Sequence, residues 1–251
     1  SIYHNATGLW HRNATNSSLT AIHNNTPILV TVSDLPSGNT SNWIMEACDV
    51  AGNCAFYNAN RTMSRPAQTT VILYTNQTTA LDGHILVTGP TYTRSATAAT
   101  LSVGVATTNT YRGFMDFNTS AIASTATIDS VSLTIFVSTT QNCLSGTNTT
   151  NFRNLSYPAG NFSDTNGGNG NLYAYIGNGT SFTTVNTLNT TGVKVIALGS
   201  TAATTLQNQL SQRWFSLGLN ATESCTGAGI SAPAAINATE ATPAETRPYL
   251  T

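Results

Sequence analysis

Apolar and polar residues alternate along most of this chain with the two-residue period of β-strands. In SVSLTIFVS, Val131, Leu133, Ile135 and Val137 fall on one face. Leu101, Val103 and Val105 repeat the pattern, as do Val193, Val195 and Ala197, and then Phe215, Leu217 and Leu219. Leu172, Ala174 and Ile176 fit the same template, which predicts a strand with Tyr173 and Tyr175 on its opposite face. Nearer the start, Ile28, Val30 and Val32 alternate in PILVTVSDL, and Trp43, Met45 and Ala47 in NWIMEAC. Clusters of Gly, Asn and Thr separate these runs and mark turns. One stretch departs from the rule. In TAATTLQNQLSQR, Ala202, Leu206 and Leu210 recur every four residues, which predicts one short amphipathic helix. The pattern as a whole predicts an all-β sandwich.

The pattern changes character near TMSRPAQ. It predicts a small β domain over residues 1–63, a linker at 64–68 and a complete sandwich over 69–251. The segment from Gln141 to Gly170 is rich in Asn, Gly, Ser and Thr and reads as a long surface loop. Hydrophobic content is 40%, and no apolar run approaches the roughly 20 residues of a membrane span. The opening residues carry neither a signal peptide nor the apolar helix through which a type IV pilin assembles. The chain therefore reads as mature, or as a segment of something longer.

Composition sharpens this picture. Fifteen of the 27 asparagines open an Asn-x-Ser/Thr triplet without a central proline. They are Asn5, Asn13, Asn16, Asn24, Asn39, Asn60, Asn76, Asn118, Asn148, Asn154, Asn161, Asn178, Asn189, Asn220 and Asn237. With 68 Ser and Thr in 251 residues, random placement would give about seven. Each triplet is an acceptor motif for N-linked glycan, which points to a surface or secreted protein. At least eight are expected to be occupied, with Asn118 the poorest acceptor because it ends a strand. Only 8% of residues are charged, against about 25% in ordinary soluble domains, and Lys194 is the only lysine. Hydroxyls, amides and sugar must then keep the surface soluble. A net charge of -1 gives no reason to expect nucleic acid or an anionic membrane as partner.

Four cysteines allow three pairings. Cys48–Cys54 across CDVAGNC, with Cys143–Cys225 as the second bridge, is the favoured arrangement in an oxidising exterior. No Cys-x-x-Cys or matched histidine pair supports a metal site.

Two resemblances follow. WIMEACDVAGNCAFY resembles the closing strands of Ig-like domains in surface proteins, with Asp49, Gly52 and Asn53 as turn formers. An Ig-like domain needs about seven strands and ~100 residues, so residues 1–63 would be only part of one. Residues 68–251 resemble the DNRLRE-type β-sandwich domain, a jelly roll similar to carbohydrate-binding modules of secreted bacterial and archaeal proteins. ALDGHI, TLSVGV, YRGFMDFNTSAIASTATIDSVSLTIFV (with Arg112 and Phe117), TAATTLQNQLSQRWFSLGLN and ETRPYLT carry that likeness. Asp116 stands where the family tends to have a basic residue, and Asn118 where it tends to have aspartate. No sugar-site residue is carried over. The fold class expected is therefore a jelly-roll-like β-sandwich with one short helix, preceded by a small or incomplete Ig-like sandwich.

Candidate chemistry is sparse. Asp82, Asp116, Asp129 and Glu240 lie in strand or strand-edge contexts with no motif to make them an acid–base pair. Arg112 and Asp116 share a strand face, which predicts an ion pair. His4, His11, His23 and His84 have no nucleophile elbow to serve. Neither a catalytic site nor a cofactor is expected. Trp10, Trp43, Trp214, Tyr173 and Tyr175 are candidates for stacking on sugar, or for packing under glycan or a neighbouring subunit. Lys194 has no motif for an isopeptide crosslink. The expectation is a non-enzymatic, N-glycosylated structural subunit of an extracellular filament, appendage or coat. It would be a homopolymer, joined head to tail by strand addition. The alternative is a carbohydrate-binding or adhesive module of a larger secreted protein.

Overall fold

The alternating segments form antiparallel strands in a computed structural model that describes residues 1–5, 11–14, 38, 40–49, 51–57, 59–64, 67–75, 82–96, 98–106, 109–140, 149–162, 168–221, 233–238 and 247–251. The chain divides into two units, Ser1–Thr70 and Val71–Thr251.

The first unit holds β1 (Ile2–His4), β2 (His11–Ala14), β3 (Thr40–Cys48), β4 (Cys54–Phe56) and β5 (Arg61–Ser64). They make one sheet in the order β2-β1-β3-β4, with β5 also paired to β3. The β3–β4 turn follows from its residues. Asp49 Oδ1 accepts the N–H groups of Ala51 and Asn53, both at 2.9 Å, and its Oδ2 accepts Asn53 Nδ2 at 2.8 Å. Gly52 takes φ +85°, a left-handed conformation that costs glycine little. These donors, the Asn53 side chain foremost, hold the Asp49 carboxyl below the usual carboxylate range. Cys48 and Cys54 face each other in register and form the expected disulfide. Among the described residues, this unit buries no apolar side chain. Ser41 is buried, while Met45, Phe56 and Tyr57 are exposed. PILVTVSDL lies outside the described residues.

The second unit contains β6 (Leu73–Tyr74), β7 (Asp82–Thr88), β8 (Thr91–Ser95), β9 (Thr100–Ala106), β10 (Asn109–Asn118), β11 (Ser132–Thr139) and β12 (Thr150–Asn154). Next come α1 (Gly168–Asn178), β13 (Ser181–Val185), β14 (Gly192–Ala197), α2 (Gly199–Gln209), β15 (Trp214–Ala221), β16 (Ala234–Asn237) and β17 (Tyr249–Leu250). Strands β13-β12-β15-β10-β7-β8 form one layer. In the other, β11 pairs with β14 along one edge and with β16 and β17 along the other. Strand β9 pairs with both β10 and β16 and so joins the layers. Their facing residues are the apolar halves of the alternation. Leu101, Val103, Met115, Phe117, Leu133, Ile135, Val137, Phe215, Leu217 and Leu219 are all buried in one cluster. Helix α2 is the helix expected from the four-residue spacing, and it buries Ala202 and Leu206 there, with Leu210 just after.

Three local expectations are corrected. Among the described residues there are two α-helices, where one was expected. Leu172–Ile176 lies in α1, where Leu172 and Ile176 are buried one turn apart and Ala174 is exposed. A spacing of four satisfies both the strand and the helix template, and here packing over the β10–β15 face decides for helix. Within the supposed loop 141–170, β12 is an interior strand between β13 and β15, with Thr150 and Phe152 buried. One large apolar residue in five left no alternation to read. Finally, β14 is a strand as expected, but its Val193–Val195–Ala197 face points away from the core, leaving Val193 63% and Val195 71% exposed. Lys194 and Ile196 instead pair with Ile135 and Leu133 on the core side.

Candidate functional site

The outer face of the β10–β15 pair carries three cross-strand couples in register: Arg112–Asn220, Phe114–Gly218 and Asp116–Ser216. Each couple makes a different contact. Arg112 Nε donates to Asn220 Oδ1 at 3.0 Å, and Ser216 Oγ donates to Asp116 Oδ1 at 2.6 Å. Gly218 leaves room for α1, since a Cβ there would sit 3.0 Å from Ile176 Cγ2. Asp116 is buried, and its Oδ2 accepts the N–H of Ala159 at 2.9 Å. Arg94 reaches in from β8, donates to Ala159 O at 3.1 Å, and lies over the Phe114 ring at 5.0 Å. Burial pulls the Arg94 guanidinium below its usual pKa, and the Asp116 charge pulls it partly back. The two groups fasten the 155–162 segment onto the sheet. Arg112 also donates to Tyr173 O at 2.8 Å, and its guanidinium stacks on the Tyr173 ring at 3.8 Å.

Above this floor lies a shelf of aromatic rings. Tyr175 is 5.1 Å from Phe162 and 6.3 Å from Tyr157, centroid to centroid, and Tyr92 is 5.5 Å from Tyr173. Phe162 is buried, whereas Tyr92, Tyr157 and Tyr175 are 41%, 53% and 43% exposed. Of the two tyrosines singled out in the sequence, Tyr175 is on the surface and Tyr173 is half-buried. Tyr92, Tyr157 and Phe162 were missed. The available signal was local: Phe162 is the middle residue of the acceptor motif at Asn161, and Tyr157 precedes that asparagine by four residues.

The acceptor asparagines favour exposure. Of the nine whose side chains are described, Asn60, Asn118, Asn161, Asn178 and Asn189 are exposed. Asn5, Asn154, Asn220 and Asn237 are half-buried, and none is buried. Asn118, expected to be the poorest acceptor, is exposed, and its Oδ1 accepts the Ser120 N–H. Asn220 has its amide oxygen committed to Arg112, so it is the more hindered site. Asn16, Asn24, Asn39, Asn76 and Asn148 lie outside the described residues, as do Cys143, Cys225, Trp10, His23 and Glu240.

The other candidates are dispersed. Asp82 is buried at the start of β7, and Asp129 is exposed. His84, half-buried on β7, accepts the Ser102 N–H at Nδ1, and burial lowers its pKa. Glu46 lies beside Cys48 and Cys54, but the disulfide occupies both sulfurs. Trp43 lines a cavity of about 390 Å³ with Met45, Tyr57, Ala59 and Arg61 in the first unit. Lys194 sits at the β14 edge and donates to Thr190 Oγ1. Among the described residues, no helix is long and apolar enough to cross a membrane. No protein-family model matches the chain, and no curated protein matches it in sequence.

Proposed function

We propose that this chain is a structural, heavily N-glycosylated subunit of an extracellular filament, appendage or cell-surface coat, joined to further copies by β-strand addition. The observation that carries this reading is the exposed apolar surface on the described sheet of the first unit. Its described residues bury no apolar side chain and leave Met45, Phe56 and Tyr57 to solvent. Apolar side chains left on a sheet surface are costly in water and gain from an added strand that covers them. The second unit offers a matching edge, because among the described residues β14 is paired only to β11, and it presents Val193 and Val195 outward. A contact between unlike surfaces does not close on itself and propagates as a fibre. Exposed acceptor asparagines fit a coat of sugar over the remaining surface. Electron microscopy of the native material is the test. Fibres are expected, and Val195→Glu should shorten or abolish them. Uniform particles of one chain at every concentration would overturn the reading.

The exposed aromatic shelf favours a second reading, a carbohydrate-binding module. Asn161 and Asn178 border that shelf, and glycans there would compete with a free sugar for it. Retention of the unmodified protein on a polysaccharide column would favour the module over the subunit.

A further inference from the structure

Helix α1 exposes Asn171, Ala174, Tyr175 and Asn178 and buries Leu172 and Ile176. The four exposed positions follow the i, i+3, i+4, i+7 spacing of one helical face, so the acceptor Asn178 sits one turn beyond Tyr175. Helical side chains lean back toward the N-terminus, which directs the Asn178 amide over Ala174 and alongside Tyr175. Ala174 is small and leaves that spot open. The Tyr175 ring continues into Phe162 and Tyr157, and the exposed Tyr157 rim extends the apolar surface outward. We infer that this shelf is the seat of the chain's own N-linked glycan on Asn178, whose first sugar rings lie with their C–H faces against Tyr175 and Tyr157.

The physical case rests on complementarity. Aromatic faces carry the negative side of the ring quadrupole, and the C–H bonds of a pyranose carry partial positive charge. A tethered sugar meets the rings at high effective concentration, so it loses far less freedom on docking than a free ligand would. Without the sugar, about half the Tyr157 surface would stay in water (53% exposed). The inference rests on glycosylation of the chain, as proposed above, and adds what the sugar does: it caps the α1 layer and stabilises the second unit.

The test is a double-mutant cycle in the full chain, produced in a host that glycosylates it. Thr180→Ala breaks the acceptor motif while keeping Asn178, and Tyr175→Ala removes the shelf. Glycopeptide mass spectrometry reports occupancy of Asn178. If the sugar is seated, Tyr175→Ala should raise the unfolding equilibrium constant about fivefold more in the glycosylated chain than in the Thr180→Ala background. Equal losses in both backgrounds would overturn the seating while leaving the glycoprotein reading intact. A bare Asn178 would overturn the seating and count against glycosylation at this site as well. A second readout needs no variant to fold. In the glycosylated parent protein, C–H protons of the first sugar should be shifted upfield by the ring current in NMR spectra. Positions equal to those of the free glycopeptide would also overturn the inference.

Discussion

Replacing Asp116 by alanine would leave the Ser216 hydroxyl, the Ala159 N–H and the Arg94 charge facing a gap inside the protein. Breaking a buried charged network from one side is costly, so a loss of about 3 kcal/mol is expected in denaturant titration. Ser216→Ala removes one hydrogen bond and should cost nearer 1 kcal/mol. Similar losses for the two variants would mean that Asp116 does not anchor the 155–162 segment. His84 supplies a pH dependence. Its pKa is lowered in the folded protein because burial disfavours the imidazolium. The unfolded chain therefore binds the proton first as pH falls below its ordinary value of about 6.5. Stability from this group is full above that pH and declines as acid is added down to the depressed folded value. Urea titrations at pH 7 and pH 5 should show the decline in the parent protein and a smaller one in His84→Gln.

At the scale of elements, α1 lies close over β15 where Gly218 sits under Ile176, with Leu155 beside it. Gly218→Val should lift the helix and cost about 2 kcal/mol, with a Tm lower by roughly 5 °C. An unchanged Tm would mean that the helix rides loosely on the sheet. The strands of the main core were legible because Val131, Leu133, Ile135 and Val137 alternate without interruption, and α2 because its spacing of four persists over three apolar residues. Helix α1 was not, since only Leu172 and Ile176 define its buried face and both templates accept that pair. The alternation of β14 identified a strand but assigned its faces wrongly. Val193 and Val195 are more apolar than Lys194, yet the β11 register turns Lys194 inward. The aromatic shelf was half legible, because Tyr175 comes from α1 while Tyr157 and Phe162 come from a segment whose path depends on Asp116. The Cys48–Cys54 bridge needed only local spacing and the turn formers between.

For the molecule as a whole, colloidal stability is the exposed question. Nineteen charged groups among 251 residues, summing to -1, give little mutual repulsion between copies. If sugar supplies the solubility, enzymatic deglycosylation should precipitate the protein, and adding salt should not reproduce the effect, because few charges exist to screen. A deglycosylated chain that stays clear at high concentration would show that hydroxyls and amides suffice.

The single lysine has a practical consequence in chemical reactivity. Lys194 is the chain's only side-chain amine, and it lies on β14, whose outer edge has no strand neighbour among the described residues. An amine-directed acylating reagent thus attaches to one side chain, at the edge where the next copy would pair. The acylation rate at Lys194, read by peptide mass spectrometry, becomes an occupancy meter for that edge. It should be slow in native assemblies and rise as they are dissociated, whereas equal rates in both states would put the junction elsewhere.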